Sequence, residues 1–125
     1  MATILVAEDS RLSRRMVVDA LRDAGHDVIE AVNGEAALEA FRQKQPDCVV
    51  TDLLMPVMTG QELLGQLRAM NSKVPVIVAS ADIQQSSRAE CEALGISGFL
   101  HKPIKPQELV PCVEAALKQE AGASQ

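Results

Sequence analysis

Short apolar runs alternate with longer stretches of helical period five times along this 125-residue chain. The apolar runs are Ile4–Ala7, Val28–Ala31, Cys48–Thr51, Val76–Ala79 and Gly98–Leu100. They are too short for helices, and most lack the apolar–polar alternation of a half-exposed strand, so they read as strands covered on both faces. Helical periodicity fills the intervals at about Arg11–Ala24, Glu35–Lys44, Gln61–Met70, Ile83–Leu94 and Gln107–Lys118. Gly25 and Gly95 follow two of these stretches, where a left-handed cap needs no Cβ. Thr59 and Glu62 have capping-box spacing, Asp82 suits the cap of the fourth helix, and Pro106 suits a first helical turn. Asn33-Gly34 is followed by helical periodicity, so it starts a helix and is not a hairpin turn. Strands alternating with helices imply right-handed crossovers and an α/β, doubly wound, five-stranded parallel sheet with helices on both faces. One domain is expected over residues 1–120, with a flexible tail over 121–125.

Composition narrows the function classes. A net charge of −5 opposes broad nucleic-acid binding, which needs a basic surface. The longest apolar runs, such as Ile4–Ala7 and Val74–Ala79, are far too short to cross a bilayer, and no secretory signal opens the chain. Cys48, Cys91 and Cys112 are odd in number and widely separated; they read as reduced thiols of a cytoplasmic protein, not as a zinc site or a disulfide frame. Phe41 and Phe99 are the only aromatic residues, so stacking on bases or sugars is not expected.

In a parallel α/β sheet, ligands bind just past the carboxyl ends of the strands. Those positions hold Glu8 and Asp9, Asp52, Ser80 and Lys102. Singly, each has a plain structural role: Asp9 or Asp52 as a cap, Lys102 as a solvated surface charge. Together they make a pocket of three carboxylates, a hydroxyl and an ammonium. Crowded carboxylates resist ionising together unless a cation joins them, and oxygen ligands with room for water suit Mg²⁺. Held there, such a metal would supply charge neutralisation to a phosphoryl group arriving at Asp52, and Lys102 and the Ser80 hydroxyl would hold that group's other oxygens. A carboxylate nucleophile forming an acyl phosphate is a known covalent strategy.

The Glu8-Asp9 pair, the TDLLMPVMTG segment around Asp52, ASA at Ala79–Ala81 and HKP at His101–Pro103 together resemble a two-component response-regulator receiver domain. The match runs in order over essentially the whole chain. The resemblance implies a flavodoxin-like (βα)5 fold with strand order 2-1-3-4-5 and Asp52 as the phosphoacceptor. It implies Mg²⁺, replaceable by Mn²⁺, held by Asp9 and Asp52, with Glu8 acting through a water and Leu54 through its backbone carbonyl. Lys102 would bind the phosphoryl group, Pro103 would follow a cis peptide, and Ala81 would leave space beside the phosphate. On phosphorylation Ser80 would move toward the phosphoryl oxygens and Phe99 would turn inward, biasing a bistable element. Phe99 also reads as a core aromatic, and it lacks the hydroxyl of the tyrosine often found at that position.

Leu54 and Asp82 are the expected tuning positions. Family members often carry a polar residue at the Leu54 position, and leucine forms no side-chain hydrogen bond, so slow self-dephosphorylation is expected. The expected phosphodonor is a sensor histidine kinase or phosphotransfer domain. The expected output is a protein target on the face of the fourth helix, fifth strand and fifth helix. No direct nucleic-acid or membrane binding is expected, and the state is a monomer or a phosphorylation-dependent dimer. The domain would catalyse its own phosphorylation and dephosphorylation only, so it is not expected to be an enzyme. A module of a hybrid kinase or transcription regulator is the alternative. An aspartyl-phosphate hydrolase is disfavoured, because Leu54 stands where its second carboxylate would be; a flavodoxin-like cofactor binder would need a phosphate cradle that these loops lack. Arg11, Arg14, Arg15 and Arg22 form either a solvated helix face or a docking face for the donor. Met55 and Met58 read as packing residues, His101 as a surface residue, and His26 as a turn residue with no evident partner.

Overall fold

A computed structural model describes residues 2–70, 72–81 and 85–123. Its elements are β1 (Thr3–Ala7), α1 (Arg11–Asp23), β2 (Asp27–Ala31), α2 (Gly34–Lys44), β3 (Cys48–Asp52), α3 (Gly60–Ala69), β4 (Val76–Ser80), α4 (Gln85–Ala93), β5 (Gly98–His101) and α5 (Pro106–Ala123). All strand pairs are parallel, in the order β2-β1-β3-β4-β5. This is the expected doubly wound, flavodoxin-like sheet.

Alternate residues of the inner strands bury on opposite faces, as the strand period requires. Leu5, Ala7, Val49, Val76 and Val78 pack with Leu38, Phe41, Leu63, Leu64, Leu67 and Cys91 of α2, α3 and α4. Ile4, Val6, Val50 and Ile77 pack with Val17, Val18, Leu21, Leu109 and Val113 of α1 and α5. Both faces being covered explains why these strands read as unbroken apolar runs. Among the described residues, no helix is long and apolar enough to cross a membrane.

The element ends differ from the sequence reading in informative ways. Asp52 and Ser80 are the last residues of their strands, in register with Ala79 and His101, because ladder pairing uses the backbone and ignores side-chain polarity. α5 starts at Pro106 and runs to Ala123, past the expected end at Lys118. The residues that follow Lys118 are mostly strong helix formers, so nothing local stops it. Asp82 and Ile83 lie outside the described residues.

The caps assign several side chains. The Ser10 hydroxyl accepts from the Ser13 N–H at 3.4 Å, so Ser10 caps α1 and Asp9 is left for other work. Asn33 caps α2, accepting from the Ala36 N–H at 2.7 Å. Thr59 and Glu62 bond reciprocally as a capping box. Gly25 and Gly95 have φ of +94° and +80°, the left-handed region where a Cβ is strained.

Two other glycines set the path of the loop after β3. A Cβ on Gly60 would stand 2.0 Å from the Asp52 carbonyl oxygen, and one on Gly34 would stand 2.4 Å from that of Met58. The loop therefore runs directly against the first turns of α2 and α3. On the far side of α3, Arg68 donates to the carbonyls of Leu94 and Gly95 at 2.8 and 2.9 Å, tying down the end of α4. Gln61 bonds Glu90, a second tie between α3 and α4.

Candidate functional site

Four strand ends meet at one edge of the sheet. Glu8 and Asp9 leave β1, Asp52 ends β3, Ser80 ends β4, and Lys102 follows β5. Glu8, Asp52 and Ser80 are buried, at 3%, 8% and 0% exposure, whereas Asp9 is exposed. Lys102 Nζ donates to Glu8 Oε1 at 2.5 Å and to Asp52 Oδ2 at 3.0 Å. Its backbone N–H donates to the Ser80 carbonyl at 2.9 Å, which couples the fifth strand's exit to the end of β4. One carboxylate oxygen from each of Glu8, Asp9 and Asp52 lies within 4.8 Å of the other two. Three hard oxygen donors at that spacing fit a small divalent cation that keeps several waters.

Glu8 is held from three sides. The Ser10 N–H donates to its Oε2 at 3.2 Å, Arg14 Nη1 donates to its backbone carbonyl at 2.9 Å, and its own N–H donates to the Ala31 carbonyl at 3.0 Å. Arg14 also bonds Glu30 Oε1 at 3.2 Å, so this arginine belongs to the site's framework. Nothing in the sequence signals that role, since its partners lie six and sixteen residues away.

Burial pushes the Glu8 carboxyl up to about 7, and the neighbouring Asp52 adds to the rise, while the Lys102 contact opposes it without offsetting it. Burial alone would lower the Lys102 ammonium, yet its bonds to Glu8 and Asp52 outweigh that and raise it. A carboxyl raised in the folded state stabilises the fold below its unfolded value and loses that contribution as pH climbs through its folded value. In metal-free protein, the Glu8 contribution should therefore fade between about pH 4.5 and 7. Glu8→Gln should flatten that part of the stability–pH curve in urea titrations; an identical slope in the variant would contradict the assignment.

The remaining expected positions fall around this core. Ala81 is exposed and, with Ser13, Met16, Lys102, Pro103 and Ile104, lines a cavity of about 270 Å³. The Lys102–Pro103 peptide is cis. Leu54 is 60% exposed at the rim. Val57, three residues on, adopts φ of +70°, a strained conformation for a β-branched side chain. Phe99 is half-buried against the α3–α4 side of the core. Met55 is buried and Met58 packs on the same cluster, as expected, and His101 is exposed. His26 follows the turn as expected, but it is not without a partner: its side chain is only 8% exposed and Nδ1 accepts from the Ala2 N–H at 3.3 Å, while Nε2 faces Glu114 at 3.8 Å with no hydrogen bond. Asp82, the other tuning candidate, lies outside the described residues. The three cysteines are free thiols.

The family model of the response regulator receiver domain matches residues 4–114, and the chain belongs to that family of two-component signalling modules. Chemotaxis protein CheY of Thermotoga maritima is 31% identical over 116 residues, covering 92% of this chain and 97% of CheY. The probable transcriptional regulator ycf27 of Porphyridium aerugineum is 36% identical over 121 residues, 97% of this chain. The chain spans 50% of that regulator's length and 15% of the sensory/regulatory protein RpfC of Xanthomonas campestris. The solved structure of Vibrio cholerae CheY4 superposes with a TM-score of 0.87 at 31% identity, over 93% of this chain and 98% of CheY4.

Proposed function

We propose that Asp52 accepts a phosphoryl group from a sensor histidine kinase or phosphotransfer domain and that the domain then signals through its α4–β5–α5 face. The observation that carries this reading is the Lys102 ammonium bonded to both Asp52 and Glu8, beside an acidic trio with metal spacing. Asp52 is the nucleophile: its carboxylate oxygen forms the new P–O bond while the donor's P–N bond breaks and the imidazole leaves. Mg²⁺, or Mn²⁺ in its place, would be held by Asp9 and Asp52, by Glu8 through a water and by the Leu54 carbonyl, and would supply charge neutralisation to the transferring group. Lys102 turns from its carboxylate partners to a phosphoryl oxygen, a charge-assisted contact to the group in transit. Ser80 takes another oxygen, Ala81 leaves the space beside it, and Pro103 aims the lysine. Phe99 follows inward as Ser80 moves. The domain turns over no external metabolite, works in the cytoplasm, and acts through proteins instead of touching nucleic acid or membrane itself.

The test is incubation with Mg²⁺ and a small acyl phosphate, followed by intact mass. The wild type should gain one phosphoryl mass and Asp52→Asn should gain none. No gain in the wild type, beside a control receiver that is labelled, would sink the proposal.

Leu54 sets the lifetime of the product. Its side chain cannot orient the attacking water. Restoring one such hydrogen bond, worth about 1 kcal/mol, changes a rate about fivefold. Leu54→Asn should thus shorten the phosphoryl half-life by about that factor in a dephosphorylation time course; an unchanged half-life removes Leu54 from the account.

A further inference from the structure

α4 reaches the switch aromatic through one side chain. The Arg88 guanidinium carbon stands 5.2 Å from the centroid of the Phe99 ring, within cation–π range. Glu92, one turn along, holds the same guanidinium at 3.7 Å from its Nε. Phe99 packs against the core that includes Val78 and Cys91, so its ring has a packed flank and a flank covered by a cation. The helix that presents Arg88 is anchored: Cys91 is fully buried, and Arg68 holds the carbonyls just past its end.

We infer that Arg88 is a latch that keeps Phe99 in its outer position in the unphosphorylated domain, a positioning residue that acts on the Asp52 site only through that ring. This rests on the reading that Phe99 turns inward when Asp52 carries a phosphoryl group. Turning inward takes the ring away from Arg88, so the contact exists in one state and not in the other. That difference is what lets a contact bias an equilibrium. A cation–π contact at an exposed site shifts such an equilibrium about two- to fivefold. By linkage, a ligand that favours the inward state gains the same factor when the latch is removed.

Arg88→Met keeps the aliphatic stem and removes the cation. The probe is beryllium trifluoride with Mg²⁺, a phosphoryl mimic, titrated against the ring signals of Phe41 and Phe99, the only two phenyl rings. The variant should bind the mimic about two- to fivefold more tightly than the wild type. Without the mimic, its Phe99 signals should lie part of the way toward their saturated positions while those of Phe41 stay. The sign is diagnostic: losing a positive charge near an anion weakens binding by Coulomb attraction alone, so a gain comes from the released ring. In a Phe99→Leu background the gain should vanish. Unchanged or weaker binding by Arg88→Met, or the same gain in the Phe99→Leu background, overturns the latch. A wild type that fails to bind the mimic overturns the Asp52 reading itself, and the latch with it.

Discussion

Replacing Gly60 with alanine should destabilise the protein by about 3 kcal/mol, the upper end of what overpacking a dense interior costs. The new Cβ would stand 2.0 Å from the Asp52 carbonyl oxygen and 3.0 Å from Leu53 Cα, both backbone atoms that no rotamer change can clear. Retreat is also blocked, because the Gly60 N–H donates to the Leu53 carbonyl at 2.9 Å. The nearest displaced atom belongs to Asp52 itself, so phosphoryl acceptance should fall alongside stability. Gly65 on the same helix is the control: a Cβ there meets nothing within 4 Å, and alanine in a helix interior gains up to about 1 kcal/mol. Urea denaturation of the two variants should move in opposite directions. A Gly60→Ala midpoint equal to the wild type's would show that the approach of α3 to β3 is looser than described.

Lys102→Met should produce three effects whose signs differ. Phosphoryl acceptance should drop about a hundredfold, the scale of losing one preorganised donor to developing charge. Metal-free stability should fall by about 3 kcal/mol, since two buried carboxylates lose a shared partner, and the loss should be larger at pH 8 than at pH 5. At the lower pH, Glu8, already raised to about 7, accepts a proton and avoids the repulsion. Mg²⁺ should bind more tightly, because the ammonium that competes for Glu8 and Asp52 is gone. Weaker metal binding together with undiminished phosphoryl acceptance would reverse the role assigned to this lysine.

Much of this architecture is legible in the sequence for a simple reason. A strand buried on both faces cannot alternate, so runs such as Val76–Ala79 announce themselves, and the chemistry must then stand at their carboxyl ends. The pocket's membership follows from that geometry, with Pro103 and the roles of Phe99 and Ala81 supplied by resemblance. What stays hidden is contact between distant residues. Glycine at 34 and 60 looks like punctuation until Met58 and the Asp52 carbonyl are seen against it. Arg14 looks like one of four surface arginines until it is found on the Glu8 carbonyl. His26 shows no partner in sequence because the Ala2 N–H that bonds it is 24 residues away. Asp9 reads as a cap of the first helix by residue type, and the structure gives that cap to Ser10 instead.

The lysine–carboxylate pairing also bears on how the chain unfolds. Lys102 lies 94 residues from Glu8 and 50 from Asp52 in sequence, and β1 and β3 are central neighbours in the sheet. A partly formed domain in which β1, β2 and β3 have assembled without the β5–α5 connection would enclose two carboxylates with no ammonium between them. Such a half-built sheet is electrostatically disfavoured until the β5–α5 connection arrives. The ion cluster that serves the chemistry thereby favours all-or-none cooperativity, in which the domain is either whole or open.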